Sequence, residues 1–287
     1  MVLTASDPDG AQGVQSELKA VSGYGHKVYV STIITARIFR SPGGIRVAPV
    51  SPEVVRSQLS AAMEAIKPDV VKVGFLPGAA CVCEAVAVLR RYGAAKVIYS
   101  PLLCEAAGHS LYSADTLRAI ACHLLPVVRL LVVRREDSIR LLEAHSAEIP
   151  YKKLDDVNLA RCLISTFHCA CYLLRPAKSN ILALQEELFY YRPLRENPAQ
   201  RQEKTLPRQM AVTPATETGK SRQSFQPAIH QSFTTAVACA WTACDDIKRP
   251  LHEARVFMDE IIGRTLYLNE DFKSAPYYPL TEGGNYE

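Results

Sequence analysis

No apolar run in this sequence reaches the roughly 18 residues that a membrane-spanning helix needs, because Lys, Arg, Asp or Glu interrupts each candidate. No membrane association is therefore expected. A strong charge of one sign is also missing. The net charge is +4 and the pI about 8.5, whereas a chain that binds nucleic acid carries a larger and clustered basic excess, so nucleic acid is not an expected partner. Asp7 and Asp9 follow a very short apolar run with no basic leader, so export is not expected. Nor do the nine cysteines, an odd number, form a disulfide framework. Several lie in apolar segments, as in Val237-Ala238-Cys239-Ala240-Trp241, which suits small buried hydrophobes in a reducing, cytoplasmic compartment. What is present is an ordinary folding composition, 48% hydrophobic and 22% charged. At 287 residues the chain is long enough for one large α/β domain, and a single domain over 1–287 is the simplest expectation.

Residues 2–5 read as a strand, followed by the turn Asp7-Pro8-Asp9-Gly10-Ala11-Gln12-Gly13 and a helical stripe of Val14, Leu18 and Val21. Val28–Ile34 is rich in β-branched residues, and Pro52–Ile66 reads as a helix with proline at its start. Strands are expected at 70–73, 96–99, 129–133 and 169–174, with helices at 81–92 and 113–125 and two more within 134–165. The segment 182–191 is apolar and fits either a strand or a helix. Such alternation predicts a mostly parallel sheet covered on both faces. From 192 to 226 the composition turns to Pro, Gln, Arg, Thr, Ser and Glu, which predicts a mobile loop. Within it seven Lys and Arg stand against three Glu, a surplus of 7 − 3 = +4, so the loop is basic as well as polar. Helices are expected again at 233–241 and 251–266.

Several local patterns suggest chemistry. The turn from Asp7 to Gly13 fits a substrate or anion cradle at a helix start, the alternative being an ordinary turn in which an Asp caps the helix. Thr218-Gly219-Lys220-Ser221 looks like the end of a phosphate-binding loop, but Pro214 stands where its first glycine belongs and no strand leads into it. Cys162, His168, Cys169 and Cys171 crowd together without a second pair at finger spacing, so buried strand residues are expected and no metal site. Cys81 and Cys83 open a helix, where a thiol pKa can fall, but helix packing is the expected role.

The stretch Ser6-Asp7-Pro8-Asp9-Gly10-Ala11-Gln12-Gly13-Val14-Gln15-Ser16-Glu17-Leu18-Lys19 resembles the opening signature of the hydroxymethylpyrimidine/phosphomethylpyrimidine kinases. The likeness continues through Val50–Val55, Asp69–Gly74 with Leu76, Ser100-Pro101 with Gly108, and Ser232–Ala238. It implies a three-layer α/β/α sandwich of the ribokinase type, with a mostly parallel central sheet and ligands at the carboxyl ends of its strands. It further implies ATP- and Mg-dependent phosphorylation of a small heteroaromatic alcohol in thiamine biosynthesis, and a homodimer by analogy. Substrate contacts fall by resemblance on Asp7, Gly10, Gly13, Phe39 and Phe75.

The chain departs from that pattern at positions where the family keeps its chemistry. Phe39 and Arg40 stand where the turn after the second strand carries a Gln-Asn pair, and Phe75 replaces a pocket methionine. Ser100 replaces the Asp of an Asp-Pro, and Ala106 replaces a lysine. Val132-Val133-Arg134 followed by Asp137 replaces Thr-Pro-Asn followed by Glu, and Leu174–Lys178 replaces a segment with a Gly-Gly pair. Ala228-Ile229-His230-Gln231 stands at the Gly-Thr-Gly-Cys anion hole, where His230 and Gln231 fit either a substitute polar pair or a plain helix flank. Loss of several clamps together weakens phosphoryl transfer more than loss of one. The sequence therefore predicts a divergent kinase with weakened or altered activity. The alternative is a pseudokinase that binds a ligand or protein without chemistry.

Overall fold

The structure, a computed structural model, describes residues 1–8, 10, 12–25, 28–41, 44–101, 103, 110–146, 148–175, 178–185, 187–191 and 220–262. These fall into two compact units, one drawn from Met1–Pro8 and Val30–Pro193, the other from Asp9–Tyr29 and Leu194–Glu287.

The first unit holds a nine-stranded sheet. Its strands are β1 (Val2–Ser6), β2 (Thr32–Ser41), β3 (Gly44–Pro49), β4 (Val71–Val73), β5 (Val97–Tyr99), β6 (Leu130–Arg134), β7 (Ala170–Leu174), β8 (Asn180–Leu184) and β9 (Glu187–Tyr191). The spatial order is β3-β2-β1-β4-β5-β6-β7-β8-β9. Strands β2, β1, β4, β5, β6 and β7 pair in parallel, while β3, β8 and β9 add antiparallel edges. The mostly parallel α/β class is thus as expected. Val71–Val73, Val97–Tyr99 and Leu130–Val133 are buried at every position, as strands covered on both faces must be. Alternate residues Leu3, Val73, Tyr99, Leu131, Val133 and Cys171 join one apolar core with the helices that follow the strands.

Those helices start where their sequences supply caps. In α2 (Pro52–Ile66) the Ser51 hydroxyl accepts from the Val54 N–H at 3.4 Å, and Pro52, which has no N–H to lose, fills the first position. In α4 (Ala114–Ala119) Ser113 serves Thr116, and in α6 (Asp156–Phe167) Asp155 accepts from Asn158 at 2.8 Å. After α3 (Ala79–Arg91) and α4 the chain widens into a π turn over Ile120–Leu124 and tightens into a 3-10 turn over Leu125–Val127. Pro126 cannot donate an α-helical bond there, which ends the regular helix. Helix α5 (Arg135–His145) follows β6 directly.

The second unit comprises α1 (Gly13–Tyr24), α7 (Lys220–Trp241) and α8 (Lys248–Ile262). The buried face of α1 is Gly13, Val14, Ser16, Glu17, Ala20 and Val21, while Leu18 is exposed. The stripe of Val14, Leu18 and Val21 expected from sequence is therefore rotated. Glu17 can face inward because the Thr235 hydroxyl on α7 meets its carboxylate. Tyr24 packs its ring edge-on against Phe257 at 5.3 Å and donates to Glu253, joining α1 to α8.

Three further expectations change and one open reading is decided. The second strand runs over 32–41 rather than 28–34 and folds back on β3, an edge hairpin whose Arg37, Arg40 and Arg46 obscure its alternation in the sequence. Phe39 and Arg40 consequently lie within β2, opposite Arg46 and Ile45, and not in a turn after it. The segment 182–191 resolves into the β8–β9 hairpin. Of the loop expected at 192–226, residues 192–219 lie outside the described residues, and 220–226 form the start of α7. Lys220, Arg222, Gln223 and Gln226 are good helix formers, and the polar composition that suggested a loop does not oppose a helix.

Candidate functional site

The six parallel strands of the first unit end on one edge of the sheet, where open α/β sheets bind their ligands. Asp7 follows β1, Phe75 follows β4, Ser100 follows β5, Arg134 closes β6 and Arg175 follows β7. Asp7 is fully buried and Ser100 nearly so. The β4 end is tightly fixed. The Gly74 N–H donates to the Leu3 carbonyl at 2.7 Å, and a Cβ on Gly74 would lie 2.6 Å from the Thr4 hydroxyl, so only glycine fits beside β1. The next residue is pinned from both sides. The Phe75 N–H points at the Thr4 hydroxyl, and its carbonyl accepts from Thr35 on β2. The half-buried Phe75 ring then lies against Tyr112 at 5.0 Å. Phe39, 44% exposed on the hairpin, shares no ring contact with Phe75 among the described residues.

Polar groups gather at the ends of β5, β6 and β7. Asp137, buried on the first turn of α5, receives both Nε and Nη2 of Arg134 on one oxygen, at 2.8 and 2.7 Å. Burial pushes its carboxyl above the usual range, against the pull of Arg134. Its other oxygen is buried beside the Leu103 backbone, and the buried Tyr99 and Tyr112 hydroxyls interact with each other. Burial raises both phenols, and each also feels Asp137. Beside this cluster, Asp156 at the start of α6 joins Arg135 at 2.7 Å to Arg175 at 3.1 Å. Arg135 also donates to the Leu154 carbonyl and Arg175 to that of Ser179. Burial acts to raise the Asp156 carboxyl, but the two guanidinium bonds prevail and hold it low. Sequence reading did not single out Tyr99, Tyr112, Arg135 or Asp156. Their one visible signal is position: Tyr99 and Arg135 stand at the ends of expected strands, Tyr112 just before an expected helix and Asp156 within an expected helical stretch.

In the second unit Gly10 and Gly13 take left-handed φ values of 72° and 66°, which explains glycine at both. Lys19 folds back to donate to the Gly10 carbonyl at 3.0 Å. The residue preceding α1 is Gln12, whose side chain makes no cap hydrogen bond. The Gly13 N–H instead donates to the Gln231 amide oxygen of α7 at 3.0 Å. Two positions expected from sequence to serve separate anion sites therefore meet in one hydrogen bond. Ala228–Gln231 lies eight to eleven residues inside α7, rather than ahead of a helix. Interior helical N–H groups are committed to carbonyls four residues back, and only the first four of a helix remain open. His230 is buried on α7.

Among the described residues no three His, Cys, Asp or Glu side chains converge as a metal site. Ser100 offers no carboxylate and Asp137 is already gripped by Arg134, so these residues do not fit a protein-held Mg²⁺. Ala106, Gly108, Thr218 and Gly219 lie outside the described residues. Burial raises the Cys81 and Cys169 thiols to about 12 and pushes Cys171 well above its usual value, so these three behave as core residues. No helix among the described residues is long and apolar enough to cross a membrane.

Known proteins place this arrangement in a family. The profile of the phosphomethylpyrimidine kinases matches residues 7–190. The hydroxymethylpyrimidine/phosphomethylpyrimidine kinase of Escherichia coli K12 is 29% identical over 157 residues, which are 54% of this chain and 58% of that relative. The corresponding protein of Bacillus subtilis 168 is 28% identical over 44% of this chain and 46% of its own length. The chain thus spans about half the length of the curated relatives it matches. The ADP complex of Bacillus subtilis pyridoxal kinase superposes with a TM-score of 0.72 at 18% identity, covering 96% of both chains. The phosphomethylpyrimidine kinase of Clostridium difficile 630 superposes at 0.69 and 16% identity, covering 91% of this chain and 97% of that one. The fold is therefore ribokinase-like, and the chain belongs to the phosphomethylpyrimidine kinase family.

Proposed function

We propose that this chain is a divergent hydroxymethylpyrimidine/phosphomethylpyrimidine kinase-like protein in which ATP-dependent phosphoryl transfer to a small heteroaromatic alcohol is weakened or altered. The thiamine pathway is the setting that the relatives' names suggest. The observation that carries the reading is the position of Ala228–Gln231 within α7. Phosphoryl transfer relies on donors preorganised around developing charge, and amides already bonded inside a helix cannot serve as those donors. Substrate contacts are assigned by resemblance to Asp7, Gly10 and Gly13 of the opening signature and to Phe39 and Phe75, where aromatic rings have replaced a polar amide and a methionine. ATP and Mg²⁺ enter this reading by resemblance, and the described residues offer no cluster of three His, Cys, Asp or Glu that would hold the metal. One domain over 1–287, a cytoplasmic location and a homodimer complete the reading by analogy. The direct test offers the purified chain ATP, Mg²⁺ and hydroxymethylpyrimidine, then pyridoxal, and follows product. Slow or shifted product formation is expected. Full activity on hydroxymethylpyrimidine would defeat the reading.

A second reading, binding without chemistry, is favoured by the Gln231 oxygen on the Gly13 N–H. That bond occupies the helix-start amide to which an anion would otherwise bind. Measurable ATP turnover that Asp7→Asn abolishes would sink it.

A further inference from the structure

We infer that Arg134 is a resident cation on Asp137 that closes this carboxylate to divalent metal, so that an anionic ligand at the ends of β6 and β7 meets a guanidinium where a metal ion would otherwise stand. Its last clause rests on the proposed nucleotide-binding reading; the exclusion of metal does not.

The Asp137 carboxylate has no exposure to solvent, and Arg134 sends two N–H groups to its Oδ2 at 2.8 and 2.7 Å. Arginine does not deprotonate in proteins, so this cation cannot step aside by losing a proton. The second oxygen, Oδ1, is buried as well, with the Leu103 backbone beside the carboxylate. The groups whose fields reach this cluster include Arg134, Glu136, Tyr99, Tyr112 and Cys81. A divalent ion needs several oxygen lone pairs at once, and Mg²⁺ needs nearly octahedral ones. The cluster supplies one carboxylate already in use, two neutral phenols and a like charge.

The same guanidinium points to what replaces the metal. Two donors of Arg134 are spent on Asp137, and Nη1 has no protein partner among the described residues. Arg175, next to it across the β6–β7 register, likewise spends Nη1 on Asp156 and Nε on Ser179 and leaves Nη2 without one. Both residues are about four-fifths buried, at 20% and 15% exposure, so each offers one partly desolvated Nη amino group.

The test uses Mn²⁺ alone as probe, read by water-proton relaxation, on the full chain and on Asp137→Asn, Arg134→Asn and the double variant. Wild type and Asp137→Asn are expected to show the same weak, non-stoichiometric binding. Arg134→Asn should bind one Mn²⁺ at least about tenfold more tightly, since a like charge beside the carboxylate has gone. The double variant should lose that site. One stoichiometric Mn²⁺ on wild type that Asp137→Asn removes would overturn the inference, as would an Arg134→Asn protein that folds and gains nothing. Should Arg134→Asn not fold, wild type against Asp137→Asn still decides. No outcome depends on whether the chain turns over ATP.

Discussion

A methyl group at position 74 would meet the Thr4 hydroxyl at 2.6 Å and Cβ at 3.0 Å. Gly74→Ala should accordingly cost about 1–3 kcal/mol, the usual cost of overpacking, and Thr4→Ala in the same chain should recover part of it. Urea unfolding of the three variants measures both effects, and an unchanged Gly74→Ala would refute the close approach. Tyr24 offers a second test. Burial, with help from the Glu253 carboxylate, raises its phenol to about 12 from 10. A group raised on folding adds stability that is complete below its unfolded pKa and is lost as pH climbs through its folded value. The Tyr24 contribution should therefore fade between about pH 10 and pH 12, and Tyr24→Phe should flatten stability over that window. Thiol labelling gives a third. Cys83 and Cys122 are exposed and should react first, whereas Cys81, Cys169 and Cys171 should wait for unfolding.

Among the elements, the link between α1 and α7 matters most. Gln231→Ala removes the acceptor of the Gly13 N–H, and a lost helix-start partner costs about 1 kcal/mol. Hydrogen exchange at Gly13 should quicken in that variant while the β6 amides stay protected; equal exchange would show that the bond does not form. The elements also show what the sequence made legible. The strands at 71–73, 97–99 and 130–134 were readable because burial on both faces leaves them rich in Val, Ile and Leu, with Lys72 and Tyr99 among the exceptions. Helix α2 was readable from Ser51-Pro52. The β2–β3 hairpin was not, because an edge strand tolerates arginines that break the apolar pattern. The start of α7 was hidden as well, since Lys, Arg, Gln and Ser read equally as helix surface or loop.

For the molecule as a whole, the family was legible in motifs, from Asp7-Pro8 to Ser100-Pro101, because these fix turns at strand ends and survive changes elsewhere. The site was legible only in part. Substituted positions could be counted in the sequence, but the pairings that followed could not. Arg134 on Asp137 needs the geometry of a strand end and a first helical turn, and Gln231 on Gly13 joins residues 218 apart in sequence. Both pairings use groups that a phosphate or a metal would otherwise take, which is the physical content of the proposed divergence. The most direct measurement is kcat/KM for hydroxymethylpyrimidine with saturating ATP and Mg²⁺, taken side by side with the Escherichia coli relative. The account predicts a value at least about 100-fold lower for this chain, the size of effect that follows loss of a preorganised donor. A value within about threefold of the relative would contradict it.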